Sequence, residues 1–152
     1  MNLTARLEEL GIELPAVVAP VAAYVPAVVH GDLVYTSGQL PIAGGGLLAT
    51  GKVGAEVDAD DAKSYARTCA LNALAAAAAA AGGVDRIAGV LRVGGFVASD
   101  PAFSGQPGVI NGASEVLGEI FGEAGAHARA AVGVAVLPLD APVEVEVTFT
   151  LA

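Results

Sequence analysis

Charge is scarce in this chain, and positive charge is scarcest. Only 15% of the 152 residues are Asp, Glu, Lys or Arg, against about 25% in an ordinary globular protein. Seven are Lys or Arg and 16 are Asp or Glu, a formal net charge of −9. Arg6, Lys52, Lys63, Arg67, Arg86, Arg92 and Arg129 are scattered along the sequence. Binding to nucleic-acid phosphates relies on clustered cations, so this balance argues against a nucleic-acid partner. Aromatic residues make up 5% and tryptophan is absent, which leaves few stacking platforms for single strands. The single cysteine, Cys69, excludes an internal disulfide and supplies no metal-binding spacing. Lying inside a predicted helix, it reads as a small buried hydrophobe. No uninterrupted apolar run approaches the roughly 20 residues of a membrane span. The nearest, Leu71 to Ala81, is short and almost wholly alanine, so no membrane partner is expected. The N-terminus, Met1-Asn2-Leu3-Thr4-Ala5-Arg6, lacks the apolar core of a signal peptide, and the cytoplasm is the expected location.

What the chain has instead is small apolar residues. Hydrophobic residues reach 55%, mostly Ala and Val, alongside 20 Gly, so its elements can pack closely. The length suits one domain, residues 1–152, with a real hydrophobic core. A surface so poor in charge suggests that part of it is buried against further copies of the chain.

Thr4 to Leu10 predicts a short helix with Leu3, Leu7 and Leu10 on one side and Gly11 ending it. Glu13 to Pro26 holds three prolines and reads as an extended lead-in. Ala27 to Ser37 predicts a β-hairpin around His30-Gly31-Asp32. Gly44-Gly45-Gly46 reads as a flexible turn, not a phosphate loop, because no Lys-Ser/Thr follows it. Asp58 to Ala81 is the clearest helix, with Asp58 as N-cap, Asp60 and Asp61 at its positive end and Gly82-Gly83 as the stop. Its expected buried stripe is Ala62, Tyr65, Ala66, Cys69, Ala73, Ala76, Ala77 and Ala80. Arg86 to Ala98 predicts a long strand with bulges expected at Gly89 and Gly94-Gly95. Val109 to Glu123 predicts a second helix. Two strands close the chain, His127 to Pro138 and one in which Val143, Val145, Val147, Phe149 and Leu151 alternate with Glu144, Glu146, Thr148 and Thr150. The expected fold is therefore α+β: two layers, with two helices on one face of a mixed sheet. The Ala/Gly/Val character of the Arg129 strand predicts that the other sheet face packs against neighbours.

No common catalytic signature is present: no Gly-x-Ser-x-Gly, His-Glu-x-x-His, Cys-x-x-Cys or dinucleotide fingerprint. His30 reads as a surface turn residue. His127 has a second reading, because it lies two residues from Arg129. Arg129 is either a surface arginine at a strand start or a ligand-binding cation that, with a carboxylate on the neighbouring strand, faces a shared ligand. By their alternation with valines alone, Glu144 and Glu146 read as a solvated strand face. Tyr24 could simply pack beside Pro26, Ser37-Gly38-Gln39 could be strand-end turn chemistry, and Asn111 a helix N-terminal residue.

Taken in order, Tyr24, Thr36-Ser37-Gly38-Gln39-Leu40-Pro41, Phe96-Val97, Asn111, Ala128-Arg129-Ala130-Ala131-Val132 and Leu137-Pro138 followed by Val143-Glu144-Val145-Glu146 resemble the Rid family (reactive intermediate deaminase, RidA/YjgF). Older members of that family are labelled endoribonuclease L-PSP. The resemblance runs from Tyr24 to Ala152; residues 1–23 form an N-terminal extension. It implies a chorismate-mutase-like fold and a homotrimer with ligand clefts between subunits. It also implies hydrolysis of 2-aminoacrylate-like enamines and imines to 2-keto acids and ammonia, without metal or organic cofactor. Arg129 would bind the substrate carboxylate, a task suited to its bidentate fork, and Glu144 would position the attacking water. Tyr24 would wall the cleft. Ser37, Gly38, Phe96, Asn111 and Ala131 fall in the ligand-holding positions, Gly38 and Ala131 through backbone groups.

The chain departs from the family pattern at several points. The family's usual Pro-Ala-Arg-Ser-Cys is His-Ala-Arg-Ala-Ala at residues 127–131, and Ser114 stands where a tyrosine is common. Ser104-Gly105-Gln106-Pro107 is additional, and the N-terminal stretch is longer than usual. These changes mark a divergent branch. A binding or sensing protein for a small carboxylate is the competing reading, since Arg129 would serve both roles whereas Glu144 should matter mainly for hydrolysis. Ribonuclease activity is disfavoured by the acidic charge.

Overall fold

A computed structural model of the chain describes residues 1–20 and 22–152. The described part of Glu13 to Pro26 contains no helix or strand, as its prolines dictate; residue 21 falls outside the described residues. Helix α1 spans Leu3–Leu10, buries Leu3 and Leu7, and ends at Gly11 in the left-handed region (φ 66°). Strands β1 (Ala27–His30) and β2 (Leu33–Thr36) form the hairpin. The triglycine segment makes the expected turn, as the tip of a small hairpin: β3 (Ile42–Ala43) and β4 (Gly46–Leu47) pair across Gly44 and Gly45.

Helix α2 spans Ala59–Ala81. The Asp58 carboxylate caps the amides of Asp60 and Asp61, and Gly82 closes the helix at φ 85°. Its buried side is broader than a single stripe. Ala62, Ala66, Cys69, Ala73, Ala76 and Ala77 are buried as expected, Tyr65 is only half-buried and Ala80 is exposed. Leu74 and the polar Asn72 are fully buried. Alanine permits this, because a Cβ-only surface lets the helix lie close to both the sheet and the second helix.

Strand β5 spans Ile87–Ala98 and helix α3 spans Gln106–Phe121. The helix begins earlier than Val109, since Pro107 fits its first turn, and Asn111 sits inside it rather than at its N-terminus. Gly112 fits here because α3 crosses α2 so closely that an added Cβ would lie 1.9 Å from the Lys63 carbonyl oxygen. Strands β6 (Ala128–Val134) and β7 (Val143–Leu151) complete the five-stranded sheet, in the order β1-β2-β7-β5-β6. It is mixed: β5 and β6 are parallel and the other neighbours antiparallel. The two long helices cover one face, so the α+β two-layer expectation holds.

Two expectations need correction. First, β6 and β7 are not neighbours: β5 lies between them. A helix connects β5 to β6, which allows those strands to pair in parallel. Residues 135–142 then carry the chain around the end of β5, with Leu139 (φ 59°) and Asp140 (φ 60°) in left-handed conformation. Second, Gly94-Gly95 forms no bulge. The register irregularities fall between Ile87 and Gly89 and between Val90 and Arg92. Gly95 is instead pressed beneath α3, where an added Cβ would meet Ile110 at 2.5 Å.

The core lies between sheet and helices, with Val93, Val97, Val143, Val145, Val147 and Phe149 from the sheet packed against α2 and α3. The other face carries Tyr35, Leu91, Arg92, Phe96, Val132, Glu144 and Glu146, of which Leu91 and Val132 are 48% and 46% exposed. Among the described residues no helix is long and apolar enough to cross a membrane.

Candidate active site

Arg129 stands near the start of the edge strand β6, opposite Val93 in the ladder. Paired residues share a sheet face, and Val93 is buried under the helices, so the Arg129 side chain runs along α3. There Pro107, Asn111 and Ser114 line one side of the helix, at the i, i+4, i+7 spacing that stacks residues on one face. Arg129 Nη1 donates to Asn111 Oδ1 at 2.8 Å and to Ser114 Oγ at 3.2 Å, and Nη2 donates to the Pro107 carbonyl at 3.2 Å. All three acceptors are neutral. Arg129 belongs to none of the four ion pairs found among the described residues. A guanidinium has five N–H donors, and the two left over lie on Nε and Nη2, which share one edge of the group. The result is an exposed cation, held by neutral oxygens, with Nε and one Nη2 hydrogen unused by these bonds.

His127 extends this cluster. Its Nε2 lies 2.9 Å from Ser114 Oγ and its Nδ1 lies 2.6 Å from the Gly125 carbonyl oxygen.

Glu144 occupies a second cluster. It pairs with Phe96 in the β5–β7 ladder, and the buried alternation of Val143 and Val145 turns it to the opposite face from Arg129. Its carboxylate rests directly on Gly38: a Cβ added there would lie 2.3 Å from Glu144 Oε1. Tyr24, Gly38, Gln39, Leu40, Pro138 and Glu144 line a small cavity of about 40 Å³ together with Val18, Ala19 and Pro20. By volume, that is room for about two or three waters. Burial pushes the Glu144 carboxyl above its ordinary value, and the neighbouring Glu146 charge pushes the same way. Glu144 makes no ion pair among the described residues, whereas Glu146 pairs with Arg92 at 3.4 Å.

Gly38 is held there by its neighbours. Gln39 exchanges backbone hydrogen bonds with Val145 at 2.8 and 3.0 Å, which continues the line of β2 alongside β7. Beneath it, Asn72 Nδ2 donates to the carbonyls of Leu40 (3.1 Å) and Ile42 (3.0 Å), tying the segment to α2. Asn72 Oδ1 is buried without a hydrogen-bond partner among the described residues.

Sequence reasoning placed Arg129 and Asn111 together, and the structure joins them. It also gathers Glu144, Gly38 and Tyr24 around one cavity, with Phe96 beside Glu144. Ser37 sits next to this cavity, but its hydroxyl donates to the Val25 carbonyl at 2.6 Å, so it braces the hairpin. Ala131 lies opposite Gly95 with its side chain against the core. What the structure does not do is bring Arg129 and Glu144 to a shared ligand within one chain, because they occupy opposite faces with β5 between their strands. Asn72 escaped notice, although a lone amide in the Leu71–Ala81 alanine run was a visible signal. The partnership of Ser114 with His127 was also invisible, since the two are 13 positions apart. Among the described residues no group of three His, Cys, Asp or Glu could hold a metal ion.

Comparison with known proteins agrees with this architecture. Residues 4–150 match a family described as YjgF/chorismate mutase-like, putative endoribonuclease. Protein TCP17 of Trypanosoma cruzi is 44% identical over 146 residues, covering 95% of this chain and 91% of that protein. The crystal structure of Atu1372 from Agrobacterium tumefaciens superimposes with a TM-score of 0.90 at 45% identity, over 99% of this chain and 92% of that one. More distantly, the structure of E. coli TdcF with bound serine gives a TM-score of 0.60 at 26% identity, over 91% and 93% of the two chains.

Proposed function

This chain belongs to the YjgF/chorismate mutase-like, putative endoribonuclease family, as a divergent branch, and we propose that it hydrolyses small carboxylate-bearing enamines and imines to 2-keto acids and ammonia. The observation that carries this reading is Arg129: a cation gripped by neutral oxygens, without a carboxylate partner among the described residues and with one donor edge free. Such an edge suits a planar carboxylate in bidentate contact. The serine held by TdcF is a ligand of this chemical kind.

An imine carbon is already electrophilic, so the site has only to hold the carboxylate, orient water and manage protons. An enamine first takes a proton at its β-carbon to become the imine, and water then adds to the imine carbon as it gives up a proton, giving a carbinolamine. The C–N bond then breaks as a proton reaches the nitrogen, releasing ammonia and leaving the ketone. Glu144 suits the proton transfers because burial raises its pKa towards the working range of a general acid–base group. Its cavity has room for the water. Tyr24 walls the cavity and Gly38 lets the carboxylate approach the backbone. No step requires a metal or organic cofactor.

Since Arg129 and Glu144 lie on opposite faces of one sheet, the complete site requires a second subunit. The proposed assembly is a homotrimer in which the β6 edge of one chain meets the Glu144 cavity of the next. This would also cover Leu91 and Val132 on the open sheet face.

The test is ammonia release from freshly generated 2-aminoacrylate and bulkier 2-imino acids by wild type and Arg129→Ala, with the mass in solution measured alongside. Three chains and acceleration that depends on Arg129 are expected. If no imine is turned over faster than in buffer, a non-catalytic small-carboxylate receptor becomes the better reading. A monomer in solution would dismantle the inter-subunit site.

A further inference from the structure

We propose that Ser114 and His127 are positioning residues for Arg129, forming a hydrogen-bond relay that leaves the guanidinium a single edge for a carboxylate. The proposal rests on the reading of Arg129 as the carboxylate-binding group.

The direction of the relay follows from what each atom can do. The Gly125 carbonyl oxygen can only accept, so His127 Nδ1, 2.6 Å away, carries a hydrogen. In a neutral ring that makes Nε2 the acceptor. Ser114 Oγ, 2.9 Å from Nε2, must then donate its hydroxyl hydrogen to the ring. This turns the serine lone pairs towards Arg129 Nη1, a pure donor, at 3.2 Å. Every link therefore donates the same way, from Arg129 to Ser114 to His127 to Gly125. Chains aligned in this manner strengthen their members.

The relay ties down three pieces of structure. Ser114 belongs to α3, Arg129 to β6, and Gly125 to the tight turn at 122–125 between them. That turn sits hard against α3: a Cβ on Gly125 would meet the Leu117 carbonyl oxygen at 2.8 Å. A serine within a helix commonly bonds back to the carbonyl four residues earlier; here its hydroxyl bonds outwards. With Ser114 and Asn111 both engaged, Nη1 has no donor left for a ligand. A planar carboxylate at the remaining edge is thereby favoured over an oxyanion that needs donors on several sides. His127 and Ser114 are both departures from the usual family residues, and the fold makes them partners.

The full chain would be titrated with pyruvate as wild type, Ser114→Ala, Ser114→Thr, His127→Phe and the Ser114→Ala/His127→Phe double variant. Nitrogen-15 spectra of the imidazole would be recorded without ligand. Expected are an Nδ1-protonated His127 in wild type and loss of that bias in Ser114→Ala. Pyruvate binding should weaken about tenfold in either alanine or phenylalanine variant, the scale of one hydrogen bond to a charged group. The double variant should be no worse than the singles, and threonine should restore binding. An Nε2-protonated ring in wild type, undiminished binding by Ser114→Ala, or independent losses in the double variant would overturn the relay. Failure of wild type to bind pyruvate through Arg129 would sink the carboxylate reading, while the ring spectra would still decide the relay.

Discussion

Gly38→Ala isolates the placement of Glu144 from its chemistry. Gly38 is not in the left-handed region that restricts side chains, so an alanine there meets only a steric obstacle. That obstacle is the catalytic candidate itself: the new methyl would lie 2.3 Å from Glu144 Oε1, 2.8 Å from Cδ and 3.0 Å from Cγ. To regain the 3.4 Å of ordinary contact, the carboxylate has to retreat by about 1 Å. A displacement of that size in a reacting group costs on the order of 10²-fold in rate. Stability should change much less, because the obstacle is the end of a flexible side chain. The assay compares imine turnover and thermal melting for Gly38→Ala and wild type. A variant that melts normally and loses about a hundredfold in kcat supports the argument. One that melts normally and turns over at the wild-type rate would refute it, because Glu144 could not then depend on this seat.

Two further outcomes follow from the same cluster. Glu144→Gln should stabilise the fold at neutral pH. The native carboxyl holds its proton more tightly than the unfolded chain does, so stability falls as pH rises from the ordinary value of 4.5 through the raised native one. Glutamine removes that loss, and the gain should fade as pH drops below the ordinary value; equal advantage at low and neutral pH in chemical denaturation would contradict it. Asn72→Ala removes the two hydrogen bonds that tie Leu40 and Ile42 to α2, a loss of about 2 kcal/mol. In a domain of this size that is about 4–8 °C in Tm, and an unchanged melt would show that the segment stands without its anchor.

How much of this was legible beforehand differs from element to element. Asp58 and Gly82 bounded α2 on chemistry available in the sequence, an acidic cap at one end and a left-handed residue at the other. The alternation in β7 was equally plain, since Val143, Val145, Val147 and Phe149 could bury together only on one face. The motif order from Tyr24 to Glu146 pointed to the family and to Arg129, Asn111, Glu144 and Gly38 as the residues of interest. Helix α3 was harder to bound, because Gly112 weakens the local pattern for the sake of a close crossing with α2 that involves Lys63, far away in sequence. The same holds for Gly95, a suspected bulge that is instead the floor beneath Ile110.

The sequence by itself determined the local conformations and the face each strand residue takes, because caps, turns and alternation depend on near neighbours. Only the tertiary structure decided which strands lie side by side. The insertion of β5 between β6 and β7 sent Arg129 and Glu144 to separate clusters, and the turn at Gly125 brought His127 onto Ser114. Such pairings arise from how helix crossovers and packed backbones share space, and that is a property of the whole chain rather than of any stretch within it.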